Sequence, residues 1–515
     1  ISHQSYSQLT KGGVPYTIKN KLLPATALPA YEMPGVDVAK LLEEDKNAPK
    51  GERPFRFGYT FETALNPSNS GDFLIMPDGG RLWRLRIKAQ NALSLNVTFS
   101  KFNLKPGAQV FIFNPETGES IGALDADNNQ ADELLGVGII RGSEIVIEFY
   151  EPMGKSGESQ IEIGWITHGY KNVLGYGDSG SCNMNVNCPM GEPWEEQKRS
   201  VVIIINNGDW CTGAMINNVR NDGTPYFLSA NHCFANSYTT WVFYFNWESP
   251  TCQNQNVPKT QSVSGSTLIS RFAPSDFMLL RLNQAPPPSF NAYYAGWDRR
   301  DKAPQKSVCI HHPSSDIKKI SFDEDSAISQ AYNSTNDDGT HWRINNWEYN
   351  TTTEGGSSGS PLFDQNKRIV GQLHGGLAAC GNTSYDKFGK IWYSWNVGTT
   401  PQTRLKDWLD PDDTGVFFID GLDASCAAVS LSTNYHENLE ASATLPQRWR
   451  INNPDNDTTW RIQAGVSAYG IGNRCAVINN EPTNTLGKSD ILNITPFDFF
   501  DKGDIKLVFD YAYIK

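Results

Sequence analysis

Residues 355–361 read GGSSGSP, and a few residues later the chain continues RIVGQLHGG over 368–376. Serines among glycines ordinarily make a solvated surface loop. A serine hydroxyl near its normal acidity is also a poor nucleophile. It needs an imidazole to take its proton and a carboxylate to hold that imidazole in the right tautomer. The reading of this loop is therefore decided by what stands elsewhere in the chain.

Only eight histidines are available. His3 and His168 lie in the N-terminal region, and His436 lies in the C-terminal tail. His311 and His312 sit in CIHHPSS, and His341 falls in a polar stretch. His232 stands apart in PYFLSANHCF, where an apolar strand runs into Ala-Asn-His-Cys. Cys211, in DWCTGAMI, offers a partner that would tie Cys233 down and fix the histidine at the strand end. For the carboxylate, APSDFMLLRLN places Asp276 at the mouth of an apolar run. A carboxylate there is costly unless partnered, and an imidazole N–H suits it, although a plain strand-capping aspartate would look the same.

Taken together, LSANHC, SDFMLLRL and GGSSGSP, in the order His, Asp, Ser, resemble the chymotrypsin-type serine proteases. The usual motifs there are Ala-Ala-His-Cys, Asp-Ile-Ala-Leu-Leu and Gly-Asp-Ser-Gly-Gly-Pro. The resemblance implies two six-stranded barrels, with Ser358 as nucleophile, His232 as base and Asp276 as its orienting acid. The backbone N–H groups of Gly356 and Ser358 would form the oxyanion hole, with the glycines permitting the backbone angles that this requires.

A narrower likeness is carried by GDSGSCNMNVNCP, YAGWDRRD, HHPSSDIKKIS, EGGSSGSP, GQLHGG and DWLDPDDTGVFFIDGLD, all between about 177 and 425. These stretches resemble the bacterial lysyl endopeptidases of the Achromobacter and Lysobacter type. That resemblance implies disulfides Cys182 to Cys380, Cys188 to Cys252 and Cys211 to Cys233, leaves Cys309 alone, and suggests Cys426 with Cys475 as a fourth pair. The position that makes trypsin select basic side chains, six residues before the nucleophile, is Thr352 here. The family instead uses a downstream aspartate, and NTSYDKFGK supplies Asp386 at the matching place. A buried carboxylate facing a lysine ammonium discriminates strongly against neutral side chains. The family's histidine stacked on an aromatic ring maps to His374 and, across a small insertion, to Tyr332. Leu373 to Gly375 would be the edge that pairs with an extended substrate.

The composition agrees with a β-rich protein of several domains. The 515 residues exceed one core, and 39% apolar content with 14 Trp and 20 Tyr fits compact globular units. A net charge of -12 argues against nucleic acid as a partner. No apolar run approaches the ~18 residues of a membrane span. Nine cysteines without a paired C-x-x-C pattern, in an Asn-, Thr- and Ser-rich chain, read as disulfides in an oxidising compartment. The start at ISHQSYSQLT suggests that a signal peptide has been removed or left out, so the expected location is extracellular, secreted by a bacterium.

Three divisions follow. Residues 1–176 combine a Pro- and Lys-rich strap, with one helix candidate at VDVAKLLEEDK, and a β-sandwich built from runs such as RLWRLRIKA and SQIEIGWITHG. Residues 177–425 hold the protease motifs and a late helix candidate, PQTRLKDWLDP. Residues 426–515 read as a C-terminal β-sandwich module that stops on a strand, as though truncated. The segment 1–176 resembles the family's pro-region. Trypsin-like zymogens switch on when a new N-terminus reaches the Asp just before the nucleophile, but that residue is Ser357 here. Family members mature after a Lys at the position of Gly177. The residue before it here is Tyr176, so self-cleavage is expected after Lys171 in HGYKNVLGYG, with trimming.

The expected function is thus a secreted serine endopeptidase precursor acting on the carboxyl side of lysine in proteins or peptides, with its own pro-region as partner. Cleavage after arginine or after both basic residues is the first alternative. An inert protease fold serving adhesion is the second. A metal hydrolase is disfavoured because no His-Glu-x-x-His or comparable cluster occurs. No cofactor is expected. NNPDNDTTW (452–460) offers oxygen ligands for Ca²⁺, but a solvated turn is the simpler reading.

Overall fold

The computed structural model describes residues 10–424 apart from 23–26, 49–50, 174–178, 256–260 and 383; beyond 424 it describes 429–430, 450–452, 461–464, 474–477, 491–493 and 497–498. Its described residues fall into two compact units, one of 1–219 with 224–421 and one of 220–223 with 422–515. Among the described residues no helix is long and apolar enough to cross a membrane.

The first unit begins with an N-terminal sandwich of two sheets. One runs Ala30–Glu32, Arg81–Lys88, Glu144–Glu151, Gln109–Phe113, Ser120–Leu124, with Asp72–Ile75 also on Arg81–Lys88. The other runs Ile140–Arg141, Ser94–Asn103, Gln160–Gly169, Gly58–Leu65, with Leu135–Gly136 on Ser94–Asn103. Alternation along these strands sends Leu85, Ile87, Val97, Phe99, Ile145, Ile147, Ile161 and Ile163 into one shared core. The expected helix forms over Val38–Lys46, where the Asp37 side chain caps the Lys40 N–H.

Two further curled sheets make the chymotrypsin-like double barrel. The first has the order Ser262–Ser264, Val242–Tyr244, Val201–Asn206, Asp209–Met215, Tyr226–Ala230, Phe277–Leu282, Ser266–Phe272. The second is built around Lys319–Asp323, Ser307–His311, Pro361–Asp364, Ile369–Gly376, Asp386–Lys390 and His341–Ile344. Disulfides join Cys182 to Cys380, Cys188 to Cys252 and Cys211 to Cys233. Cys309 is buried and takes part in none of them.

Two local expectations change. PQTRLKDWLDP forms not one helix but a turn of 3-10 helix at Pro401–Thr403 and a short α-helix at Lys406–Leu409, because Arg404 between them is extended. His341 does not lie in a polar loop. It opens a strand paired with Asp386–Lys390 and is fully buried. In the second unit the described residues form paired strands, Arg450–Asn452 with Ile491–Asn493 and Arg461–Ala464 with Arg474–Val477. Cys426 and the residues 453–460 of the Ca²⁺ candidate lie outside the described residues.

Candidate active site

His232 and Asp276 meet because of strand register. Tyr226–Ala230 pairs with Phe277–Leu282 so that Ala230 opposes Phe277. The next residues on one side turn through Asn231–Cys233, and the residue before Phe277 is Asp276, held at φ 54°. Asp276 Oδ1 accepts the His232 backbone N–H at 2.8 Å, and Oδ2 lies 2.7 Å from His232 Nδ1. Both residues are tied further, since the Asn231 N–H reaches the Asp276 carbonyl at 2.7 Å and Cys233 is bonded to Cys211. The Asp276 carboxylate is buried, and its two bonds from His232 supply the partner that burial demands.

Ser358 is fixed to the same barrel by its backbone. Its carbonyl accepts the Thr212 N–H at 2.9 Å, and Thr212 Oγ1 donates to the Gly356 carbonyl at 2.8 Å. Gly359 permits this approach. It has φ 84°, and a β-carbon there would lie 2.2 Å from Ser229 Oγ and 2.3 Å from the Thr212 carbonyl. Gly356 has φ 93°. His232 Nε2 is buried and has no hydrogen-bond partner among the described residues. This nitrogen is therefore unspent as a hydrogen-bonding atom.

Ser357 has a partner that the sequence did not announce. Its Oγ lies 2.8 Å from Nδ1 of His311, whose Nε2 lies 3.0 Å from Ser321 Oγ; Ser321 in turn donates to the Thr352 carbonyl at 2.7 Å. This buried relay supports the GGSSGSP loop next to Ser358.

Asp386 is fully buried at the start of Asp386–Lys390. Its Oδ2 accepts from Trp347 Nε1 at 2.8 Å and from Thr353 Oγ1 at 2.6 Å. His374 stacks on Tyr332, ring centroids 3.5 Å apart and 5° from parallel, and on its other flank lies 5.6 Å from the His232 ring. His374 Nδ1 is 3.0 Å from His341 Nε2, and its Nε2 is 3.7 Å from Asp276 Oδ2. Burial pushes the His374 and His341 imidazoles down to about 3, so both are neutral at working pH.

The N-terminal segment 51–57 lies against this site. A β-carbon at Gly51 would come 2.7 Å from the His374 carbonyl and 3.2 Å from the Gly375 Cα. Phe55–Arg56 adds an antiparallel strand to Asp209–Met215, and one at Gly355 would come 3.0 Å from the Phe55 ring. Arg53 does not turn to Asp386. It and Arg56 bond Asp45 Oδ1 at 3.1 and 2.9 Å, while Tyr170 Oη and Lys171 Nζ each reach Asp45 Oδ2 at 2.7 Å.

A family model, lysyl endopeptidase, C-terminal domain, matches residues 176–389. The lysyl endopeptidase of Pseudomonas aeruginosa is 26% identical over 370 residues, spanning 65% of this chain and 78% of the relative. The chain is a serine endopeptidase, similar in its middle part to the lysyl endopeptidases. Among solved structures, this endopeptidase is similar to a Glu endopeptidase, with 19% identity, TM-score 0.28, and coverage of 42% of this chain and 92% of that one. It is also similar to the active form of the Rv3671c protease from M. tuberculosis, with 18% identity, TM-score 0.27, and coverage of 43% and 86%.

Proposed function

We propose that this chain is the latent precursor of a secreted endopeptidase that hydrolyses peptide bonds on the carboxyl side of lysine. The observation that carries the reading is the Asp276–His232 pair, with an unspent Nε2, beside a serine whose backbone is bonded into the same barrel. Ser358 Oγ attacks the substrate carbonyl while His232 Nε2 takes its proton. The imidazolium is stabilised by Asp276 and then protonates the leaving amine. The N–H groups of Gly356 and Ser358 hold the developing oxyanion. Water repeats the sequence on the acyl-enzyme, and these steps use no cofactor.

Asp386 supports lysine over arginine. Its Oδ2 already accepts two hydrogen bonds, so a guanidinium fork, which wants both carboxylate oxygens, is poorly matched. An ammonium needs only a point contact. His374 with Tyr332 and the Gly375 backbone would line the substrate's approach. We take 1–176 as the pro-region, 177–425 as the protease domain and 426–515 as a C-terminal module. In this reading, Gly51 to Arg56 holds the site shut in the direction of a substrate, with Pro54 following an Arg53 that is turned away to Asp45. Maturation after Lys171 then requires its ammonium to leave Asp45 first.

Digestion of a denatured protein by the processed enzyme, read by peptide mapping, tests the function. Peptides ending in lysine are expected. Peptides ending equally in arginine would establish the broader specificity. Failure of a serine-directed phosphonate to label Ser358 in the processed form would return the chain to an inert fold that serves adhesion.

A further inference from the structure

We propose that His341 is a positioning residue: it fixes the tautomer of His374, so that Asp276 is reserved for His232. The inference deepens the triad reading above and rests on it.

The argument follows protons along one line of contacts. Thr340 Oγ1 lies 2.5 Å from Asp338 Oδ1. A carboxylate accepts only, so the single hydroxyl proton of Thr340 lies between them. Thr340 Oγ1 is then an acceptor towards its other neighbour, His341 Nδ1, at 2.7 Å. His341 must donate there, and a neutral imidazole that donates at Nδ1 accepts at Nε2. The atom facing that lone pair at 3.0 Å is His374 Nδ1, which must therefore carry its proton. His374 Nε2 is left as a lone pair, and it is the atom that faces Asp276 Oδ2. Their separation of 3.7 Å is too long for a hydrogen bond and fits two acceptors with no proton between them.

Around His374 stand His232, Asp276, His341, the Tyr332 ring and the Gly51 backbone. Of these, Asp276 faces Nε2 and would welcome a proton there, the Gly51 backbone also favours a proton on the ring, and the His341 contact directs that proton to Nδ1. Were His374 to flip tautomer, it would donate to Asp276 Oδ2 and compete with His232 Nδ1, which sits on the same oxygen at 2.7 Å. The carboxylate would then stabilise the His232 imidazolium less. The relay anchored at Asp338 removes that competitor without touching the reacting atoms.

Two measurements test this. In full-length chain carrying Ser358→Ala and ¹⁵N-labelled histidine, side-chain ¹⁵N shifts should show His374 and His341 as neutral Nδ1–H tautomers at pH 7. His374 found as Nε2–H overturns the proposal, whatever the enzyme's specificity or activity proves to be. In processed enzyme, His341→Phe removes the acceptor, whereas His341→Gln can keep one. The Phe variant should lose about tenfold in kcat/KM with KM little changed, and the acid limb of its pH profile should move to lower pH. The Gln variant should recover to within about twofold of the parent. Equal losses in both variants, or an acid limb that stays in place in the Phe variant, would sink the idea. If the Phe variant does not fold, the tautomer measurement on the histidine-intact chain decides alone.

Discussion

Phe55 of the N-terminal segment and Trp210 of the first barrel are antiparallel register partners, and Trp210 immediately precedes the cysteine that is bonded to the residue after His232. A strand from the N-terminal region thus adds to Asp209–Met215, next to the disulfide that fixes the residue after His232. The first prediction concerns what fastens that strand. Asp45 gathers Arg53, Arg56, Tyr170 and Lys171. Asp45→Asn removes the charge that holds all four. It should speed conversion of the full chain to the processed form by about tenfold, followed by gel time course. A slower conversion would show that Asp45 promotes maturation instead.

Asp209 opposes Arg56 in that strand pairing, and burial pushes its carboxyl up to about 6 against the partial relief from Arg56 and Arg53. A carboxyl whose folded pKa is raised favours the folded state when protonated. Its contribution is therefore complete below the ordinary carboxylate value of about 4 and is lost as pH rises through about 6. The melting temperature of full-length Ser358→Ala chain should accordingly fall more between pH 4 and 7 than that of the same chain with Asp209→Asn. Parallel curves for the two would contradict this.

Replacing Asp386 with Asn keeps the shape and removes the charge. We expect kcat/KM on a lysyl peptide to fall by about three orders of magnitude, while the reactivity of Ser358 towards a small neutral phosphonate changes little. A comparable loss in both would mean that the residue supports the fold of the site, through Trp347 and Thr353, and does not read the substrate.

Gly359→Ala places a β-carbon on Ser229 Oγ and the Thr212 carbonyl at a backbone angle that L-residues seldom adopt. The cost should be about 3 kcal/mol or more in denaturant unfolding, together with loss of activity, because the two barrels meet at this point. Stability within about 0.5 kcal/mol of the parent would show that the loop relaxes freely.

The candidate residues His232, Asp276 and Ser358 stood out in the sequence because each sits in a short stretch whose local pattern and order carry the resemblance: LSANHC, SDFMLLRL and GGSSGSP. The register that brings Ala230 opposite Phe277 then makes the His232–Asp276 contact a matter of geometry. The supporting partners were not legible. His311 and Ser357 are 46 residues apart, and nothing in CIHHPSS distinguishes a histidine that braces a loop from one that fills a core. His341 read as loop because Asn, Asp, Gly and Thr surround it, yet strand pairing with Asp386–Lys390 overrides that local polarity. The β-rich class was visible in the alternation of the N-terminal runs. The short helix Ile391–Asn396 was not, because six residues with two Trp and a Tyr carry too little period to declare themselves.

The brace of Ser357 by His311 has a consequence for how such a molecule is switched on. In a trypsin-like zymogen the liberated chain end arrives as a missing structural part, whereas here His311 already occupies the seat beside Ser357. On the proposed reading of 1–176 as a pro-region, proteolysis then has nothing to install. It can only unveil, so awakening this enzyme should depend on how firmly its cover clings rather than on what the cut leaves behind.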